Sequence, residues 1–223
     1  MANNLAPTLD FLRDLRVNNN KPWFDANKAR YIEASAAFEQ LVSDLLVQFG
    51  AVDDLGGVSA KDCIFRIYRD TRFAADKSPY KTGMGALLGR GGRKHDGRSY
   101  YLHIEPDGQS MLAGGFFAPT PAELDRVREA IARDASELKA IIGSADFVRY
   151  FGSMQGETLK TAPQGYPKDH PDVALLRHKQ FLAESAMSDT QVLALDLIPH
   201  ILRVFTAMKP FVSYLWSTQT MTA

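Results

Sequence analysis

Residues 100–117 have the sequence YYLHIEPDGQSMLAGGFF, which predicts a β-hairpin. Two runs rich in aromatic and aliphatic residues flank a turn at 106–108, where Pro, Asp and Gly each favour the backbone conformations of tight turns. Side chains in a strand point alternately to its two faces, so the first run has one apolar and one polar face. Tyr100, Leu102 and Ile104 face one way, and Tyr101, His103 and Glu105 face the other.

Helices are predicted on the N-terminal side of this hairpin. A first helix is expected to follow Thr8, and the three asparagines at 18–20 should end it because Asn favours turns. A second, long helix is expected from Pro22 to Gly50, since its apolar residues recur at helical spacing. Together these two elements predict a helical hairpin that packs on the sheet.

Further helices are predicted after the hairpin. Thr120 and Glu123 form a capping-box pattern with Pro at the first helical position, and the periodicity continues to Gly143. Another helix is expected over 171–181. A last one should begin at Ser188, bend at Pro199 and end at Pro210, because proline cannot donate the hydrogen bond that an inner turn requires.

Two more strands complete the expected fold. Residues 63–69 alternate in character and predict a strand, and residues 84–88 predict a second, shorter one. The order of elements is helices, a meander of strands, then helices. This order is typical of an α+β protein, with an antiparallel or mixed β-meander packed against several helices. At 223 residues, we expect a single domain spanning 1–223.

Composition indicates the cellular setting. Hydrophobic residues make up 45% of the chain, enough for a core without disulfides, and the one cysteine, Cys63, excludes an intramolecular disulfide. The N-terminus lacks the basic and apolar segments of a secretory signal, and no apolar run approaches the roughly 20 residues that span a bilayer. We therefore expect a soluble cytoplasmic protein without membrane partners. The sequence leaves the oligomeric state open.

Charge is balanced overall but uneven along the chain. The 26 basic residues match the 26 acidic ones, whereas the stretch 66–98 has nine Lys and Arg against three Asp, a net charge of +6. A local positive field in a neutral protein favours an anionic partner of limited size. A solvated basic loop would give the same pattern.

The segment 65–82, FRIYRDTRFAADKSPYKT, is the most unusual part of the sequence. Arginines bind carboxylates and phosphates with paired hydrogen bonds, and lysines add charge, so the segment predicts an anion site. An Arg–Asp network that holds an irregular loop on the body is an equal alternative. We expect the polar face of the strand 100–105 and the turn 168–170 to close the site. The expected binding residues are Arg66, Arg69, Arg72, Asp76, Lys77, Tyr80, Lys81, Tyr101, Lys168, Asp169 and Lys179.

Candidates for proton transfer are Asp70, His103 and His170, since carboxylates and imidazoles exchange protons near neutral pH. Asp169 has a structural alternative as the cap of the helix that follows it. His103 and Glu105 share a strand face, but two residues are too few for a metal site, so we expect no metal. No cofactor is expected, because the chain has no Walker loop, dinucleotide fingerprint or nucleophile elbow.

Four blocks of sequence resemble a bacterial family known as domain of unknown function 2461. They are NNxKxWF at 18–24, the segment 65–82, YYLHIEP at 100–106 and PxGYPKDHP at 163–171. The resemblance covers nearly the whole chain and implies the family's single-domain fold. It implies no reaction and assigns no role to any residue.

Three hypotheses about function follow, and the sequence leaves open whether the protein is an enzyme. The first is binding, and possibly turnover, of a small phosphate-bearing molecule in a cleft around 65–82. The second is nucleic-acid binding through the basic, glycine-rich loop 89–98, which the overall neutrality makes the less favoured partner. The third is a non-catalytic structural or interaction module.

Overall fold

A computed structural model of the chain describes residues 4–94 and 97–220. The chain packs as two compact units. Unit 1 contains the residues up to Leu112 together with Ala186–Arg203, and unit 2 contains Ala113–Ser185 and the residues after Arg203. The expectation of one domain stays a prediction. Among the described residues, no helix is long and apolar enough to cross a membrane.

A four-stranded sheet and a majority of helical elements confirm the predicted α+β class. The strands follow one another in the order of the chain, and β1 and β2 are antiparallel, with Gly85 opposite His103. The strands are β1 (Met84–Gly89), β2 (Ser99–Ile104), β3 (Ser110–Phe116) and β4 (Phe181–Met187).

The hairpin predicted at 100–117 is confirmed as β2 and β3. Its turn contains Asp107 and Gly108 with φ angles of 64° and 72°, a left-handed conformation that Asp and Gly tolerate better than most residues. Burial alternates along β2 as expected: Tyr100 and Leu102 are fully buried, whereas Tyr101 and His103 are half-buried. The polar face of β2 is thereby left to line a surface of unit 1.

The N-terminal helices are present, and α1 packs against α3. The prediction of one helix from Pro22 to Gly50 is wrong in one respect, because the chain breaks at Asn27. There the Asn27 side chain donates a 2.9 Å hydrogen bond to the Trp23 carbonyl, which competes with helix continuation. The helices are α1 (Ala6–Val17), α2 (Lys21–Ala26), α3 (Lys28–Phe49) and α4 (Ala60–Cys63).

The strand predicted at 63–69 is wrong as a regular strand. Cys63 ends α4, and the next residues form only two isolated antiparallel bridges, Ile64 with Ala86 and Tyr68 with Tyr80. From one bridge to the other, the chain advances four residues on one side, from 64 to 68, and six on the other, from 80 to 86. The register therefore slips by two residues, which prevents a continuous ladder.

The capping box at Thr120 and Glu123 is confirmed, but the helix it begins ends at Arg133, and a separate helix follows. The helix predicted at 171–181 is largely wrong, because only 173–176 is helical and 181–187 is β4. That strand is rich in Leu, Ala, Glu and Met, so pairing in the sheet overrides its helix propensity. The helices are α5 (Pro121–Arg133), α6 (Ser136–Ile142), α7 (Ala145–Phe151) and α8 (Val173–Leu176).

The capping box at Ser188 and Gln191 is also confirmed, and it begins the short helix α9 (Asp189–Val192). The last helix, α10 (Leu197–Thr220), differs from the prediction at both prolines. Pro199 lies in its first turn, where backbone N–H groups have no helical partner, so no preceding helix bends there. Pro210 lies inside the helix and does not end it.

Candidate functional site

A cleft of about 490 Å³ opens in unit 1 between the segment 65–82, the end of α1 and the polar face of β2. We call it the polar cleft, since charged and hydrogen-bonding side chains dominate its walls. Its lining residues are Arg16, Asn19, Arg69, Asp76, Ser78, Tyr80, Lys81, Thr82, Gly83, His103 and Glu105.

His103 and Glu105 form one wall of the polar cleft. They belong to a hydrogen-bonded row of three side chains on β2 and the residue that follows it, Tyr101, His103 and Glu105, which we call the polar row. The Tyr101 hydroxyl lies 3.1 Å from His103 Nδ1, and His103 Nε2 lies 2.8 Å from Glu105 Oε2. Burial raises the pKa of Tyr101, and the Glu105 charge raises it further, so this hydroxyl keeps its proton. Because a carboxylate only accepts, His103 Nε2 is the donor to Glu105.

Two glycines make room for this row. A Cβ atom on Gly83 would lie 2.6 Å from His103 Cε1 and Nε2, and one on Gly85 would lie 2.6 Å from the Tyr101 hydroxyl. Real Cβ atoms essentially never show contacts this short, so a side chain at position 83 or 85 would force the rings to shift. The Gly-Met-Gly sequence at 83–85 therefore shapes the wall of the cleft.

Asn19 fixes the edge of the cleft. Its side-chain Nδ2 donates to the Tyr80 carbonyl at 3.0 Å, and its Oδ1 accepts from the Tyr80 amide at 3.1 Å. The amide group thus pairs with the backbone as a neighbouring strand would. The Tyr80 ring stacks on Phe24 with ring centroids 4.0 Å apart, which anchors the same residue from its side chain.

Arg69 and Asp76 form an ion pair at the mouth of the cleft. Arg69 Nη1 also donates to the Ser78 carbonyl at 3.3 Å, and its side chain is 28% exposed. Hydrogen bonds from the Ser78 hydroxyl and amide, with a further one from Arg69, hold the pKa of Asp76 well below its ordinary value. The loop 70–77 is thereby tied back on itself beside the cleft.

Lys81 differs from the other cations of the cleft. Its Nζ lies 5.3 Å from the centroid of the Phe65 ring, and the residue is half-buried. Burial lowers the pKa of Lys81, and the positive charge of Arg66 lowers it further. Among the residues that the structure describes, no carboxylate lies within ion-pair distance of Lys81. Its positive charge is therefore unmatched within the described protein.

The third cation of the cleft, Arg16, is already engaged. Its Nη1 lies 3.0 Å from Asp107 Oδ2, and its Nη2 donates to the Pro106 carbonyl at 3.2 Å. Both partners belong to the turn of the β2–β3 hairpin. Arg16 therefore links α1 to this turn while contributing to the wall of the cleft.

Five of the predicted site residues line the polar cleft together: Arg69, Asp76, Tyr80, Lys81 and His103. Tyr101 is outside the lining, but its hydroxyl is hydrogen-bonded to His103, which lines the cleft.

The remaining predicted residues of the segment lie outside the lining. Arg72 pairs with Asp70 through two hydrogen bonds of 2.9 Å and 2.7 Å, and its side chain is 77% exposed. Lys77 Nζ donates to the Thr71 carbonyl at 2.9 Å, and Arg66 is exposed. Anion binding by Arg66, Arg72 and Lys77, and proton transfer by Asp70, stay predictions.

Four predicted residues, Lys168, Asp169, His170 and Lys179, belong to unit 2. His170 Nδ1 accepts from the Asp172 amide at 3.0 Å, and Lys179 pairs with Glu157. The residue at the cap position of α8 is Asp172 rather than Asp169, so the alternative that made Asp169 a helix cap is wrong. The binding and proton-transfer roles of these four residues stay predictions.

The basic loop 89–98 lies in unit 1, and residues 95 and 96 are outside the described ranges. A short 3₁₀ helix covers Gly92–Lys94. Arg90 pairs with Asp54, Arg93 donates to the Asp62 carbonyl at 3.0 Å, and Arg98 donates to the buried Asp53 at 2.7 Å. These arginines bind the loop to other residues of unit 1.

Sequence reasoning missed several lining residues, namely Arg16, Asn19, Ser78, Thr82 and Gly83. Asn19 belongs to one of the sequence blocks noted above, but nothing local links it to Tyr80, which lies 61 residues away. The spacing Gly83–Gly85 matches Tyr101–His103 on the neighbouring strand. That match would have been a signal once the two strands were placed side by side.

Comparisons with known proteins give one match. No curated protein and no solved structure matches the chain. The family described as a conserved hypothetical protein (DUF2461) matches residues 7–214. This match confirms the resemblance inferred from the four blocks. The chain therefore belongs to the DUF2461 family.

Proposed function

We propose that this protein binds a small anion, of the phosphate-bearing class, in the polar cleft. The observation that carries the proposal is the unmatched positive charge of Lys81. A half-buried charge without a partner costs free energy, and an anion bound beside it would offset that cost. The nearby positive charge of Arg66, which lowers the pKa of Lys81, would favour the same anion.

Arg69 supports the proposal as a second donor. Its contacts to Asp76 and Ser78 both use Nη1, and a guanidinium has further donors at Nε and Nη2. Arginine binds phosphate through two parallel hydrogen bonds, while lysine contributes a point charge. Arg69 and Lys81 in one cleft of about 490 Å³ therefore provide the two kinds of cation that phosphate sites combine.

Thermal unfolding with added ligand tests the proposal, since a ligand that binds only the folded state raises the Tm. Inorganic phosphate, sulfate, simple phosphate monoesters and a short oligonucleotide would be compared at one ionic strength. We expect small phosphates to raise the Tm of the wild type. Lys81→Met should remove the shift, and Lys61→Met, an exposed lysine of the same unit, should keep it.

Arg72→Ala distinguishes binding of the anion in the polar cleft from binding on the surface of the loop beside it. If the anion binds in the cleft, this variant keeps the phosphate-induced shift. Loss of the shift in Arg72→Ala but not in Lys81→Met would place the anion on the loop surface and contradict the cleft. No shift with any small anion would overturn the proposal, and a shift with the oligonucleotide alone would favour nucleic-acid binding instead.

A further inference from the structure

The charges that line the polar cleft are not all paired. Arg16 is paired with Asp107, and Arg69 is paired with Asp76. Two charges remain without an oppositely charged Lys, Arg, Asp or Glu partner among the described residues. One is the ammonium of Lys81, and the other is the carboxylate of Glu105.

Glu105 receives hydrogen bonds from Thr82 and His103, neither of which is a Lys or Arg. The Thr82 hydroxyl donates to Oε1 at 2.8 Å, and His103 Nε2 donates to Oε2 at 2.8 Å. An ionised carboxylate has about four acceptor positions, so these two bonds leave acceptor capacity as well as a full negative charge. The side chain is 21% exposed and lines the cleft, so the carboxylate is accessible to a ligand.

The polar row fixes the orientation of this carboxylate. Tyr101 is hydrogen-bonded to Nδ1 on one side of the His103 ring, and Nε2 on the other side donates to Glu105. Gly83 and Gly85 leave room for the rings in this position, because a Cβ atom at either glycine would force them to move. The Thr82 and His103 bonds thus hold the Glu105 carboxylate in a defined orientation at the wall of the cleft.

Lys81 and Glu105 do not neutralise each other. They form no ion pair, and the charge that acts on Lys81 is that of Arg66. A simple anion would pair with the cations of the cleft but would offer no positive group to Glu105, and it would add a further negative charge to a cleft that contains this carboxylate. A ligand with a negative group at one end and a positive group at the other would match both.

We propose that the ligand of the polar cleft is zwitterionic, with its anionic group at Lys81 and Arg69 and an ammonium group at Glu105. This inference rests on the proposed function, since it names the class of the small anion bound there. Aminoalkyl phosphates are the simplest members of that class. Glu105 is then the residue that distinguishes them from plain alkyl phosphates.

Two probes of nearly equal size test the inference, 2-aminoethyl phosphate and ethyl phosphate. Their Kd values would be measured by isothermal titration calorimetry at pH 7 and fixed ionic strength. For the wild type we expect 2-aminoethyl phosphate to bind about tenfold more tightly, as for a close pair of opposite charges. Glu105→Gln should bring the two Kd values together without loss of ethyl phosphate binding, whereas Lys81→Met should weaken both.

Glu105→Asp guards against a purely structural effect, because it keeps the negative charge and shortens the side chain. It should retain part of the preference that Glu105→Gln loses. Equal affinity of the wild type for the two probes would overturn the zwitterion while leaving anion binding intact. Failure of both probes to bind would overturn the proposed function and this inference together.

Discussion

The hydroxyl of Tyr101 lies so close to Gly85 that a Cβ atom at position 85 would be 2.6 Å from it. The same relationship holds one step along the sheet, where His103 lies over Gly83. Two glycines at alternate positions of one segment thus accommodate two rings at alternate positions of the next strand. The polar row and the glycines opposite it form one structural unit.

Gly85→Ala tests this relationship directly. The added methyl group must displace the Tyr101 ring, so we expect the free energy of unfolding to fall by about 1–3 kcal/mol. Tyr101→Phe removes the atom that the new methyl group meets first. Gly85→Ala should therefore cost less stability in the Tyr101→Phe background than in the wild type. Urea unfolding of the four proteins forms a double-mutant cycle, and an unchanged cost in the phenylalanine background would contradict the contact.

The Gly-Met-Gly segment shows what the sequence could not reveal. A glycine has no side chain, and its importance depends on what lies opposite, which here requires the register of β1 against β2. By contrast, the alternation of Tyr100 to Glu105 depends on neighbouring residues alone, and the structure confirms it. The capping box of α5 is local in the same way.

Asn19→Ala tests the anchor of the cleft edge. This change leaves both backbone groups of Tyr80 without their partner, so we expect a loss of about 1–3 kcal/mol in stability. Asn20→Ala, at the next residue, is a matched comparison. It removes only the bond from the Trp23 amide to Asn20 Oδ1, a helix cap that contributes about 1 kcal/mol. A smaller effect at Asn19 than at Asn20 in urea unfolding would show that the Tyr80 pairing contributes little.

The two errors in the strands have different causes. Residues 63–69 have the alternation of a strand, but Cys63 belongs to α4, and the register slip between Ile64 and Tyr68 interrupts the pairing. Residues 181–187 have the composition of a helix, and only their neighbour in the sheet makes them a strand. In both cases a distant segment decides the outcome.

Asp189 supports a prediction about stability and pH. Its carboxylate accepts from the Gly108 amide at 2.9 Å, the Asp107 amide at 3.0 Å and Arg13 at 2.6 Å. Burial alone would raise the pKa of Asp189, but these hydrogen bonds outweigh it and lower the pKa. Asp189→Asn keeps the shape of the side chain while removing its charge, and we expect a loss of about 1–3 kcal/mol in unfolding free energy at pH 7.

The sign of the pH dependence follows from that lowered pKa. The folded state binds the proton of Asp189 less tightly than the unfolded state does, whose aspartate pKa is about 3.9. The stabilisation is present above that value and is lost as the pH falls through the lower pKa of the folded state. The difference between wild type and Asp189→Asn, measured by urea unfolding, should therefore shrink below about pH 4. A difference that stays constant from pH 7 to pH 3 would contradict the role of the charge.

Pro210 is exposed in the interior of α10, where a proline removes one backbone hydrogen bond and crowds the preceding turn. Pro210→Ala restores the N–H group and helix propensity, so we expect the free energy of unfolding to rise by about 1 kcal/mol or more. Thr206→Ala, at an exposed position one turn earlier in the same helix, is the comparison for the gain from alanine alone. Thermal and urea unfolding would measure both variants. A loss of stability in Pro210→Ala would show that the packing of α10 requires the distortion that this proline causes, because the local preference of the chain favours alanine.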